Sequence, residues 1–149
     1  MKLNCLKLLT LVAIFALASC SKDDDPSTVE LLKSDKGWIL TALVTDPAYD
    51  IFGTQVTDLY AQFEACAKDD LYFFQDDNKY LFDEGATKCD PTDPQTDTGT
   101  WLLSTDEKVM TVDGESWDII EINKNTLKVK YVYSEGGLNY TWTSTFEHP

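Results

Sequence analysis

Leu127, Val129 and Tyr131 alternate with Lys128 and Lys130, the period of two that a strand shows when one face is buried and the other wet. Runs of β-branched and aromatic residues bounded by Asp, Asn and Gly recur along the chain. They predict strands at Trp38 to Val44, Leu71 to Gln75, Lys79 to Asp83, Gly99 to Ser104, Lys108 to Val112, Ser116 to Ile122, Leu127 to Tyr133 and Leu138 to Phe146. Eight strands with mostly short connections predict an all-β fold, an antiparallel up-and-down barrel. Ahead of them, Ser27 or Thr28 can cap a short helix whose apolar stripe is Val29, Leu31 and Leu32 and whose stop is Gly37. Two connections are long. Thr45 to Asp70, with Val56, Tyr60 and Phe63 at helical spacing behind Thr57, reads as a lid-like loop with one helical turn or two; "KCDPTDPQTDTG" is turn chemistry throughout.

Register follows from turn positions. A turn at Asp77-Asn78 pairs Gln75 with Tyr80, Phe74 with Leu81 and Phe73 with Phe82, and the same ladder extended without a bulge would pair Cys66 with Cys89. A turn at Glu135-Gly136 pairs Tyr133 with Leu138, Tyr131 with Tyr140 and Val129 with Trp142. Carried back through Lys124-Asn125 and Asp113-Gly114, this parity sets Asp118 against Tyr131 and Val109, and Val109 against Leu103. The inward set becomes Trp101, Leu103, Val109, Asp118, Ile120, Ile122, Leu127, Val129, Tyr131, Tyr140, Trp142 and Phe146. Asp118 is its anomaly, a carboxylate on the apolar face. It reads either as a residue of a solvated rim or as a polar contact at the mouth of a ligand cavity.

The N-terminus follows another pattern. Leu8 to Ala18 is an apolar run of eleven residues, too short for a span of about 20. Lys2 and Lys7 before it and Ala18 and Ser19 after it give the order of an export signal, so residues 1–19 are expected to be removed. Leu17-Ala18-Ser19-Cys20 resembles the lipobox of bacterial lipoproteins, which implies lipidation of Cys20, a membrane anchor and a tether over residues 20–26. Ser21-Lys22-Asp23-Asp24 resembles the signal that sends some Gram-negative lipoproteins to the outer face of the outer membrane. The domain proper is then residues 27–149.

Loss of residues 1–19 removes two of the 12 lysines and none of the 26 acids, which takes the net charge from −14 to −16. A nucleic-acid partner is excluded by that charge, and the chain has no arginine for bidentate recognition of phosphate or carboxylate. In an exported protein the remaining pair, Cys66 and Cys89, reads as a disulfide. With His148 the one histidine, next to last, neither a zinc site nor a nucleophile–base pair has its parts, so no enzyme, metal or cofactor is expected. Asp90, Asp93 and Asp97 share a loop that could hold a weak calcium ion, but EF-hand spacing is missing and Asp-Pro-rich segments are ordinarily turns.

The order of parts resembles the bacterial lipocalin-like domain of small lipoproteins. The resemblance rests on Gly37-Trp38, "CAKDD" before an aromatic strand, "DEGATKCDPTDPQTDTGTW" and "IIEINKNTLKVK", and spans roughly Gly37 to Phe146. It implies an eight-stranded barrel wide enough for side chains or one small ligand. Two departures stand out: the glycine lies directly beside Trp38 instead of two positions earlier, and no arginine exists to pack over that tryptophan. Two functions fit. In the first, a lipid-tethered barrel binds a small apolar or amphiphilic ligand among Trp101, Asp118, Tyr131, Tyr140 and Trp142. In the second, the barrel is filled by its own side chains and serves as a non-catalytic surface interaction module or accessory subunit, with Tyr49, Ile51 and Phe52 of the lid as its contact.

Overall fold

The structure is a computed structural model that describes residues 25–149. The expected signal segment, the Cys20 anchor and most of the tether lie outside the described residues. One short helix, α1 (Thr28–Leu32), precedes nine strands: β1 (Trp38–Ile51), β2 (Thr54–Asp58), β3 (Leu71–Phe74), β4 (Lys79–Asp83), β5 (Thr96–Leu103), β6 (Val109–Val112), β7 (Glu115–Ile122), β8 (Thr126–Glu135) and β9 (Leu138–Glu147). The sheet runs β2-β1-β3-β4-β5-β6-β7-β8-β9 and closes through β1 and β9. An eight-stranded antiparallel barrel results, made of β1 and β3 to β9, with β2 folded back on the far half of β1. No helix among the described residues is long and apolar enough to cross a membrane.

A five-residue helix has too few hydrogen bonds to stand alone, so α1 depends on its cap and its packing. The Ser27 Oγ accepts from the Glu30 N–H, and the Glu30 carboxylate accepts from the Ser27 N–H at 2.8 Å, a reciprocal capping box. Leu32 is fully buried, and its carbonyl accepts from the Trp38 indole N–H at 3.0 Å. The helix thereby plugs one end of the barrel. Below it the core consists of Trp38, Leu40, Leu43, Phe74, Trp101, Met110, Leu127, Val129 and Phe146.

The segment from Thr45 to Asp70 differs from the expected lid. β1 continues to Ile51 and turns through Phe52 and Gly53, both at positive φ, into β2. Tyr49, Ile51 and Val56 pack on the core, which is why this Asp- and Pro-containing stretch stays extended. Helical spacing survives only as two 3-10 turns, Tyr60–Gln62 and Ala65–Lys68.

Four registers differ from expectation, each because of a turn or bulge. Asp76–Asn78 form a three-residue 3-10 turn, so Phe74 pairs with Tyr80 and the ladder ends at Leu71 with Asp83. Cys66 and Cys89 do form a disulfide, joining the second 3-10 turn to the loop after β4 rather than extending the ladder. The β8–β9 hairpin turns at Gly136-Gly137, both at positive φ, and pairs Tyr133 with Tyr140 and Tyr131 with Trp142. That slip of two residues preserves the faces. In β5–β6 a longer turn pairs Leu103 with Met110, so Met110 and Val112 are buried where Val109 was expected.

The bulge in β7 has the largest effect. Pairing with β8 shifts between Ile119 and Glu121, so Ile119 and Ile122 both pack on the core while Ile120 is 51% exposed. Above the bulge every face is exchanged. Trp117 faces inward, and Asp118 pairs with Lys130 rather than Tyr131.

Candidate functional site

β6 has only four residues, so the β6–β7 hairpin makes a short section of wall. β7 and β8 are paired from Ile122–Leu127 up to Asp118–Lys130 and no further, whereas β8 continues to Glu135 paired with β9 alone. A gap opens there between Glu115–Trp117 and Tyr131–Glu135. Along it lies an open recess of about 540 Å3 lined by Glu115, Trp117, Tyr131, Val132, Tyr133 and Ser134, of which Glu115, Val132 and Ser134 are exposed. An adjoining recess, about 570 Å3, shares Glu115, Tyr131 and Val132 and includes Asp118, Lys130 and Thr141.

Aromatic rings continue from this recess into the barrel. Trp117 stacks on Tyr131 at 5.5 Å and lies 6.3 Å from Phe146, while Trp142 stands 5.7 Å from Tyr131 and 4.6 Å from Tyr133. Tyr49 meets the edge of Tyr140 at 5.2 Å, and its hydroxyl donates to the Glu135 carboxylate. On the opposite wall Tyr72 contacts Phe146 at 5.5 Å and Phe82 at 5.3 Å. Offset and edge-on pairs of this kind bring large apolar surfaces together with defined geometry. The Trp142 indole N–H is buried and has no acceptor among the described residues.

Burial raises the Tyr131 phenol to about 12, with the Glu115 charge adding to the shift and a Ser144 hydrogen bond opposing it. Tyr72 is also driven upward, by burial first and then by Tyr80, Asp70 and Tyr131. Tyr49 is lifted to about 12, chiefly by its hydrogen bond to Glu135. These phenols are therefore neutral at any physiological pH. Asp70, just before β3, is raised to about 6 by burial and then by Glu84, Asp69 and Asp83.

The five residues expected around a ligand do not share one site. Tyr131, Tyr140 and Trp142 fall in the aromatic cluster. Trp101 belongs to the plugged end: it is 4% exposed, donates to the Gln75 carbonyl at 2.9 Å and packs edge-on against Phe74. Asp118 is on the outer face, exposed, with Lys130 Nζ at 3.6 Å. The predicted inward Asp118 is thus corrected by the β7 bulge. Sequence reasoning missed Glu115, Trp117 and Tyr133 as neighbours. Their signal was the alternation of Glu115, Trp117 and Ile119 against Ser116 and Asp118, legible only once the bulge is known.

Over residues 36–129 the chain matches the lipocalin-like domain family. It belongs to that family. Bovine odorant binding protein in complex with undecanal is 12% identical, with a TM-score of 0.44 and coverage of 86% of this chain and 77% of that one. The same protein with a selenium-containing odorant gives 11% identity, a TM-score of 0.41 and coverage of 86% and 76%. A deswapped triple mutant of it gives 12%, 0.40, 76% and 72%. Comparison with curated proteins gave no match.

In this lipocalin-like chain the place over Trp38, where the resemblance implies an arginine, is taken by His148. Its ring lies 3.9 Å from the Trp38 ring, and its Nδ1–H donates to the Gly37 carbonyl at 2.6 Å. The penultimate residue of the chain thus packs against the barrel's plugged end. Gly37 itself has φ +72 and lies so close to Phe73 that a Cβ there would sit 2.7 Å from the ring.

Among the described residues the one grouping of three potential metal-ligand side chains is Glu64, Cys66 and Cys89, and its two sulfurs are joined to each other. Of the three aspartates expected to share a loop, Asp97 lies in β5. Asp90 accepts from the Thr92 N–H and hydroxyl, and Asp97 from the Thr98 N–H, while the Asp93 carbonyl accepts from Lys88.

Proposed function

We propose that the protein is a non-catalytic carrier, tethered to the outer membrane through a lipidated Cys20, that binds a small apolar or amphiphilic molecule. The observation that carries this reading is the aromatic recess between β7 and β8, whose 540 Å3 falls within the range of about 300–1,000 Å3 that small-molecule pockets occupy. Trp117, Tyr131 and Tyr133 supply apolar area there. Mass spectrometry under native conditions, on protein purified from its own host, should show a co-purified small molecule. A spectrum at the bare protein mass, together with unchanged tryptophan emission on addition of medium-chain alcohols, would refute the carrier.

One observation favours a second reading. Phe52, at the tip of the β1–β2 hairpin, is 103% exposed, whereas Tyr49 and Ile51 are packed on the core. An aromatic ring held in water at a hairpin tip suits a protein contact. Substitution Phe52→Ser would then abolish partner capture without altering ligand binding.

A further inference from the structure

The recess between β7 and β8 carries charge of one sign. Glu115 lies two positions before Trp117, so strand alternation puts its carboxylate on the same face as the indole. Both line the recess with Tyr131 and Tyr133, and Glu115 is the single charged residue among the six that form it. The cation on this stretch of β8, Lys130, is turned to the outer wall, where Asp118 meets it at 3.6 Å. Beside the recess, a second carboxylate of the rim, Glu135, holds the Tyr49 hydroxyl. An anionic ligand entering here would meet Glu115, while the Lys130 of the adjoining recess is already paired with Asp118, and a neutral head would leave the Glu115 charge unused. A cation would find a carboxylate beside three aromatic rings, surroundings that attract ammonium groups. The elevated Tyr131 phenol agrees with a carboxylate close to that ring.

We propose that the recess binds an organic cation, an ammonium head on an apolar tail, with Trp117, Tyr131 and Tyr133 around the head and Glu115 as its counter-charge. The proposal rests on the carrier reading and gives that carrier its ligand class. The tail packs along Val132 and the rings that line the same recess.

Three probes with the same tail test it: octyltrimethylammonium, octanol and octanoate, each titrated calorimetrically below its micelle concentration. Because the whole chain is acidic, with a net charge of −14, the titrations are run at about 0.15 M salt, where diffuse attraction is largely screened. The ammonium probe should bind at least about tenfold tighter than octanol, and octanoate weakest of the three. Substitution Glu115→Gln should reduce the ammonium preference to about threefold or less, with octanol binding retained. Substitution Glu121→Gln, at an exposed carboxylate nearer the plugged end of β7, should leave the preference unchanged. Octanol binding as tightly as the ammonium probe would overturn the cation class and leave the carrier standing. Equal losses from Glu115→Gln and Glu121→Gln would also overturn it, since the preference would then come from overall charge. Failure of all three probes to bind would overturn the carrier along with its ligand class.

Discussion

At the scale of single residues, position relative to the wall decides what a charged or aromatic group contributes. Asp118 and Lys130 form an exposed cross-strand pair, and such pairs contribute about 0–1 kcal/mol. Substitution Asp118→Asn should change stability in a urea titration by less than about 0.5 kcal/mol and leave ligand affinity unchanged. His148 is the opposite case, a terminal residue with its ring on Trp38 and its N–H on a carbonyl. Substitution His148→Ala should cost about 1–2 kcal/mol in the same titration, from one hydrogen bond and one ring contact. Asp70 gives a pH signature. Its folded-state pKa of about 6 lies above the ordinary carboxylate value, so the folded protein binds the proton more tightly than the unfolded chain. Stability from this group therefore rises as pH falls from about 6 toward about 4. Thermal melts of the Asp70→Asn variant should exceed the wild type at pH 7.5 and converge with it near pH 4; a constant difference would reject the assignment.

Elements show where periodicity suffices and where it fails. Alternation placed all eight barrel strands, and the Gly-rich turn of β8–β9 kept its faces despite a slip, because a shift by two residues conserves the side-chain period. A shift by one does not. The unseen bulge between Ile119 and Glu121 moved Asp118 out and brought Trp117 in. The β1–β2 hairpin was hidden by Asp and Pro residues that propensity assigns to loops, yet Tyr49, Ile51 and Val56 hold it against the core. The disulfide links two irregular segments 23 residues apart, and in the chain-entropy model it contributes about 3 kcal/mol. The paired substitution Cys66→Ser with Cys89→Ser should lower the urea midpoint accordingly. Most of the loss is expected without a change in the ladder, since pairing of β3 with β4 already ends at Leu71 and Asp83.

For the whole molecule, the sequence by itself determined a great deal. Period-two runs and short turns dictate an all-β meander, the pair of cysteines an internal bridge, and the missing arginine and near-missing histidine a narrow choice of chemistry. These properties are local or compositional, so they can be read without knowing which strand meets which. The site could not be read that way. Trp117 and Glu115 come to face Tyr131 and Tyr133 because one bulge exchanges the faces of β7, and because β7 pairs with β8 no further than Lys130, which leaves the top of β8 paired with β9 alone. Neither event has a marker in the residues that undergo it. Both are settled by closure of the sheet, in which β1 must meet β9 and every register between them adjusts to bury Trp38, Met110, Leu127 and Val129 completely.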